Sequence, residues 1–403
     1  MLGGWALIKR TKFLWVFTQA MLQALSDGIT SPFLGINLIR LGAPNIALGA
    51  LSSLPNLAGL IALPLGGDWV GKGNIVDKSS RLLFITRAVL LLLAGADLVH
   101  SSHYGWMLFL AALFVMGFTG SLANPGVQAI NTMLEHEANV GRVLGIRQSL
   151  YDFASLPIMV LTGLLLAQYT GNVAYSRLYI VAFVIGIAEC LSIRKVGRIP
   201  DYRLPESETP NMWETAKVVM VKVVPLLVFY IGWQLPWPAF LFYEVKVLHA
   251  NNWWMAVFTA ANVVGSMLTA WLWGILAKRH LNWLVVIDVA FMAIFPSVYF
   301  IHPGFTSLAL FQIFGSVFSG TSGILMLTWL LHGVAKAQHS RVTSLNALLL
   351  AVSGSLAPLL GSWILASYSI WSSFSISIIL RGVCIPIFLA AMYFDTLILS
   401  RVD

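Results

Sequence analysis

The chain has 403 residues, 58% hydrophobic and 10% charged, against about 25% charged in an average soluble protein. A mean hydropathy of +0.83 excludes water as the solvent for its surface. The net charge of +8 invites a nucleic-acid reading, but the basic residues sit in short clusters between apolar runs, the pattern of a membrane protein.

In chain order, twelve apolar runs cover residues 12–40, 45–67, 81–101, 105–133, 141–168, 177–193, 223–247, 251–277, 282–301, 304–334, 339–367 and 372–398. Runs of about 20 residues cross a hydrocarbon core of about 30 Å. Backbone polar groups in lipid must be satisfied internally, so each run is expected to be a helix. With the N-terminus inside, the segments read as cytoplasmic gather 20 of the 24 Lys and Arg residues. The outer loops hold three (Arg40, Arg177 and Lys246), and Arg381 falls within a helix. This bias places both termini in the cytoplasm of a multi-pass protein of the cell membrane and assigns the basicity to anionic lipid. The first run is too long for a cleavable signal.

Residues 194–222 break the rhythm. They are polar, with Pro200, Pro205 and Pro210, and read as a cytoplasmic linker between an N-terminal six-helix bundle (1–193) and a C-terminal one (223–403). Met212, Trp213, Ala216, Val219 and Met220 form a helical apolar stripe, which predicts a surface helix over 212–222.

The two halves repeat. Pro32, Arg40, Asn56 and Gly59 are answered by Pro238, Lys246, Asn262 and Gly265, all shifted by 206 positions. Gly117-Phe118-Thr119-Gly120 returns as Gly320-Thr321-Ser322-Gly323, and Arg142 ahead of Pro157 as Arg341 ahead of Pro358. A same-order repeat in a membrane protein is the mark of a two-bundle transporter. The expected fold is all-α, with twelve transmembrane helices in two pseudo-symmetric bundles. The fourth and tenth helices are rich in small residues (Gly117, Gly120, Ser121, Gly126; Gly315, Ser319, Gly320, Gly323), which permit close packing and sliding.

Between the second and third runs the chain reads Pro64-Leu65-Gly66-Gly67-Asp68-Trp69-Val70-Gly71-Lys72. This resembles the loop signature of the major facilitator superfamily at Asp68, Gly71 and Lys72, with Pro64 in place of the first Gly and Trp69 in place of a basic residue. The matching segment of the second half, Trp273 to Arg279, keeps Gly274 and Arg279 but carries Lys278 where the acid belongs. The resemblance implies a transporter working by alternating access. It implies a cytoplasmic gating role for Asp68 with Gly71 and Lys72, and makes Arg142 and Arg341 candidate partners. The fifth helix has Pro157 but lacks the glycine spacing of family antiporters.

The resemblance also places the first helix, and so Asp27, beside the transport path. A carboxylate at mid-span is costly to ionise and suits a proton carrier; Asp152 in the fifth helix is the second candidate. Asn124 and Gln128, one turn apart beside Pro125, and Gln148, one turn before Asp152, suit a polar substrate. Trp233, Gln234 and Trp237, interleaved with Pro236 and Pro238, suit a cavity wall or outer gate. Arg147 is expected to snorkel to the cytoplasmic side and Glu189 to be solvated at a helix end. Asp288 and Arg381 are assigned to structural pairing or lipid contact.

The eight histidines show no metal-ligand spacing, and Cys190 and Cys384 read as apolar filler. There is no Walker loop, HExxH pattern or nucleophile elbow, so neither an enzyme nor a cofactor is expected. The sequence therefore reads as a monomeric secondary transporter of a small organic solute, proton-coupled, with efflux favoured on aromatic content. A uniporter, a lipid translocator and a non-transporting receptor or assembly protein are the alternatives. Its partners are the solute, protons and the bilayer, without nucleic acid.

Overall fold

The computed structural model describes residues 2–70, 74–99, 104–133, 137–169, 171–197, 212–334 and 339–399. Among them, all regular structure is helical. The first span is interrupted where its repeated proline falls. Helix α1 (Leu2–Thr30) gives way to a 3₁₀ turn at Ser31–Phe33, which holds Pro32, and resumes as α2 (Leu34–Arg40). Then follow α3 (Ala50–Val70), α4 (Ile75–Leu98), α5 (Gly105–Met133), α6 (Glu137–Gln168) and α7 (Asn172–Lys195).

The second half opens with the same interruption. Helix α8 (Met212–Gln234) stops before Pro236, and α9 (Trp237–Phe242) carries Pro238 in its first turn and runs into a π-helical turn at Tyr243–Val247. A proline has no N–H to donate and crowds the preceding turn, so both spans break where the repeat puts one. The chain then forms α10 (Asn252–Ile294), α11 (Phe305–Leu331), α12 (His339–Ser367) and α13 (Ile370–Leu399). Eight of the helices among the described residues are long and apolar enough to cross a membrane.

Two compact units emerge. One comprises Met1–Ala43, Leu54–Glu206 and Asn251–Ala256; the other comprises Pro44–Ser53, Ser207–Ala250 and Val257–Asp403. In the first unit α1 packs on α6 and α7; in the second α8 packs on α12 and α13. The opening helix of each half thus meets the last two of its own half, which is the repeat expressed in packing. Small residues do the same work in both units. A side chain on Gly117 of α5 would overlap Pro55 of α3, and one on Gly320 of α11 would overlap Ser266 of α10.

Val16, Ile75, Leu82, Ile130 and Ile193 join α1, α4, α5 and α7 in the first core. Leu226, Phe229, Val285, Trp329 and Phe388 join α8, α10, α11 and α13 in the second. Lipid is as apolar as these side chains, so close packing rather than escape from water holds them. Leu92, Leu161, Val184, Leu268 and Ile324 stay exposed, as befits a surface solvated by acyl chains.

Three local expectations change. The stretch 212–222 is the first part of α8 rather than a separate surface helix; Val219 and Lys222 are buried, and Lys222 Nζ donates to the His332 carbonyl at 2.6 Å. Helix α3 runs through Asp68 to Val70, so the signature segment begins inside a helix. The eighth and ninth spans are two helices separated only by a kink within α10 at His280, where φ −133° and ψ 34° leave the helical region.

Candidate functional site

Beyond its basic start, helix α1 carries a stripe of Gln19, Gln23 and Asp27 at spacing four. That spacing sets the three on one face. The stripe lines a cavity of about 530 Å³ in the first unit. Helix α3 adds Asn56, α4 adds Arg87, α5 adds Asn124, α6 adds Arg147, Gln148 and Tyr151, and α7 adds Glu189. The volume suits a small metabolite.

Arg87 is the hub. Its Nη1 lies 2.7 Å from Asp27 Oδ1 and its Nε lies 2.8 Å from Glu189 Oε2. Tyr151 donates its hydroxyl to Asp27 Oδ2 at 3.1 Å, and Gln19 Nε2 donates to Glu189 Oε1 at 2.8 Å. All four carboxylate oxygens therefore have partners. Arg147 Nη2 donates to Gln19 Oε1 at 3.1 Å and to Gln23 Oε1 at 2.7 Å. The two acids differ in access: the Glu189 side chain is 0% exposed and that of Asp27 23%. Two arginines and two acids make the cluster neutral when all are charged. Burial on this scale is tolerated only because each charge is hydrogen-bonded.

The sequence matches the model of the Major Facilitator Superfamily over residues 16–226. The chain belongs to the Major Facilitator Superfamily. No curated protein matches it. Among solved structures it is similar to a nucleoside transporter (TM-score 0.69, 12% identity, 95% of this chain and 99% of that chain covered). It is also similar to the peptide transporter POT in complex with sulfate (0.69, 13%, 96% and 94%). A third is a bacterial homologue of the iron transporter ferroportin in an inward-facing state (0.70, 12%, 95% and 98%). At such identities the likeness shows the fold of this superfamily and leaves the cargo open.

Within this transporter fold the expected residues separate. Asp27, Asn124 and Gln148 share the cavity. Asp152 is half-buried and accepts from Gln148 Nε2 at 2.9 Å; the lining includes Gln148 but not Asp152. Gln234, Trp233 and Trp237 belong to the second unit. Gln234 is buried and donates to Ser353 Oγ at 2.8 Å, while Trp233 stacks on Phe229 and meets Trp237 edge-on. These contacts are internal packing of that unit. The side chains of Gln128, Asp68, Arg142 and Arg341, and all of Gly71 and Lys72, lie outside the described residues.

Two polar residues depart from expectation. Arg147 is 9% exposed and bonded inward rather than snorkelling, and Glu189 is fully buried rather than solvated. Arg87 and Arg147, counted among the 20 cytoplasmic basic residues, therefore belong to the cavity. Arg87, Tyr151, Gln19 and Gln23 were not singled out in the sequence. The stripe of α1 and Arg87, set inside an apolar run, were the available signals.

The assignment of Asp288 and Arg381 to structure, rather than the path, matches their contacts. Asp288 accepts from Ser322 Oγ at 2.8 Å. Arg381 donates to the carbonyls of Gly232 (2.9 Å), Trp233 (2.9 Å) and Met292. Among the described residues, no group of three His, Cys, Asp or Glu could hold a metal ion.

Proposed function

We propose that the protein is a secondary transporter that carries a small polar solute by alternating access, through the cavity of the first unit, in exchange or symport with a proton borne by Asp27. The observation that carries this reading is the sharing of Arg87 between a half-buried acid and a fully buried one. A proton arriving at Asp27 removes one of the two charges that hold Arg87. The guanidinium keeps Glu189 and is free to turn from α1 toward α7. A small charge change at such a site biases a two-state element, which is what coupling requires. The neighbouring Tyr151 hydroxyl serves either form of Asp27, accepting from the acid or donating to the carboxylate. The polar lining supports a polar solute and carries no preference for efflux over uptake.

The cytoplasmic placement of both termini rests on the distribution of basic residues. The gating role of Asp68, with Gly71, Lys72, Arg142 and Arg341, rests on the shared signature. Asp152 is the reserve proton carrier, and a monomer is the proposed working form.

The test uses proteoliposomes, a pH gradient of either sign, and a defined mixture of nucleosides, dipeptides, sugars, amino acids and organic acids, with uptake read by mass spectrometry. At least one compound accumulates with the native protein. The Asp27→Asn variant loses accumulation but keeps exchange of the same compound, because the amide imitates the protonated acid. Undiminished gradient-driven accumulation by the variant removes Asp27 from the mechanism and passes the role to Asp152.

A further inference from the structure

Within that reading, we infer that Arg147 is the docking point for an anionic group of the carboxylate type on the transported solute. Arg147 lines the cavity, yet the residue is 9% exposed and its Nε is buried without a hydrogen-bond partner among the described residues. Nη2 is held only by the amide oxygens of Gln19 and Gln23. Both ion pairs among the described residues involve Arg87. The hydrogen bonds of the two acids go to other partners: Asp27 accepts from Arg87 and Tyr151, and Glu189 from Arg87 and Gln19. A buried donor left unsatisfied costs free energy, more so on a charged group, and each such exception calls for a cause.

A guanidinium held at Nη2 by two neutral amides is oriented by them and has no direct ion-pair partner among the described residues. A carboxylate is the planar, two-oxygen partner that fits such a fork. Gln19 and Gln23 orient the arginine without an ion pair of its own, so an anion entering the cavity has a guanidinium to meet. Asn124 and Gln148, in the same cavity, are left to bond the neutral part of the solute.

Charge balance ties this site to the proton. Arg87 from α4, Arg147 and Tyr151 from α6, and Glu189 from α7 face Asp27 or its partners, while α3 and α5 contribute Asn56, Ser121 and Asn124, which do not titrate. The four charges cancel. An added anion leaves the cavity negative, and the proton of the proposed transport cycle restores neutrality. By linkage, anion affinity then rises as pH falls, and proton affinity rises when the anion binds.

The experiment measures melting of the purified full-length protein in detergent, followed by tryptophan fluorescence at about pH 6 and about pH 8. The probes are succinate, lactate and benzoate, each beside its amide, at matched ionic strength. At least one carboxylate is expected to raise the melting temperature, more at the lower pH, and its amide is not. Arg147→Gln weakens that binding at least about tenfold, and Arg147→Lys, which keeps the charge but not the fork, weakens it less. If Arg147→Gln does not fold, Arg147→Lys decides, and native affinity in that variant overturns the inference. Equal stabilisation by the amide, or a carboxylate response that survives in Arg147→Gln, also overturns it, as does silence of every organic acid both here and in the flux mixture. Accumulation of a neutral or cationic solute alone rejects the anion site and leaves the transport reading standing. Carboxylate binding without flux of any compound does the reverse.

Discussion

Arg87 Nη1 sits 2.7 Å from Asp27 Oδ1, and the same guanidinium turns its Nε to Glu189 at 2.8 Å. The three residues come from α4, α1 and α7, so the cation joins three helices by charge as well as by packing. Removing it strands two acids, one of them wholly buried. Arg87→Met is expected to cost about 3–5 kcal/mol of stability. Adding Glu189→Met should recover most of that loss, since the remaining acid, Asp27, has access to the cavity. Unfolding in mixed micelles measures both. A single variant within about 1 kcal/mol of native would show that the pair contributes little.

Arg381 answers a defect that Pro236 creates. The N–H four residues after Gly232 belongs to position 236, where proline has none, so the Gly232 carbonyl accepts from Arg381 Nε and from Ser377 Oγ instead. Arg381 also serves the carbonyls of Trp233 and Met292. Arg381→Met should therefore cost about 1–3 kcal/mol for each carbonyl left without a donor. In a Pro236→Ala background, which restores the N–H to a carbonyl that Ser377 also serves, the cost should fall. Strict additivity of the two substitutions in a double-mutant cycle would sever this link.

The glycines at helix crossings differ from those on open faces. Gly117→Val drives a branched side chain into Pro55 and should destabilise by about 1–3 kcal/mol. Gly95 has no atoms within 4 Å of an added Cβ, so Gly95→Ala should be neutral or stabilise by up to about 1 kcal/mol. Melting temperatures of the two variants compare them directly, and equal effects would contradict the assigned crossing.

A cysteine placed at Ser207, in the stretch between the two halves, reports orientation. Cys190 and Cys384 are both buried and give little background. An impermeant maleimide should leave intact cells unlabelled and label the site once the membrane is opened. Labelling of intact cells would invert the topology inferred from the basic residues.

The architecture was legible because its causes are local. A run of apolar residues long enough to span lipid has to be helical whatever surrounds it, and Pro32 and Pro238 interrupt their spans through the chemistry of their own rings. The offset that relates Gly117 to Gly320 needed only counting. Asp27 stood out for the same reason, as a carboxylate in an apolar run. What hydropathy could not supply was the rotation of each helix about its axis. Arg87 read as a basic residue near a helix end and Glu189 as a solvated one, because a position near a span's end looks alike whether it faces lipid, water or another helix; Gln234, at mid-span, read as a cavity residue because hydropathy does not say which way its helix is turned. Only the packing of α1 against α6 and α7, and of α4 against α7, brings Asp27, Arg87 and Glu189, which are 60 and 102 positions apart, within bonding distance. The same packing buries Gln234 on Ser353. Span length and interruption follow from each segment's own covalent chemistry; which polar groups meet follows from side-chain shape at helix contacts, and that was decided by the tertiary structure alone.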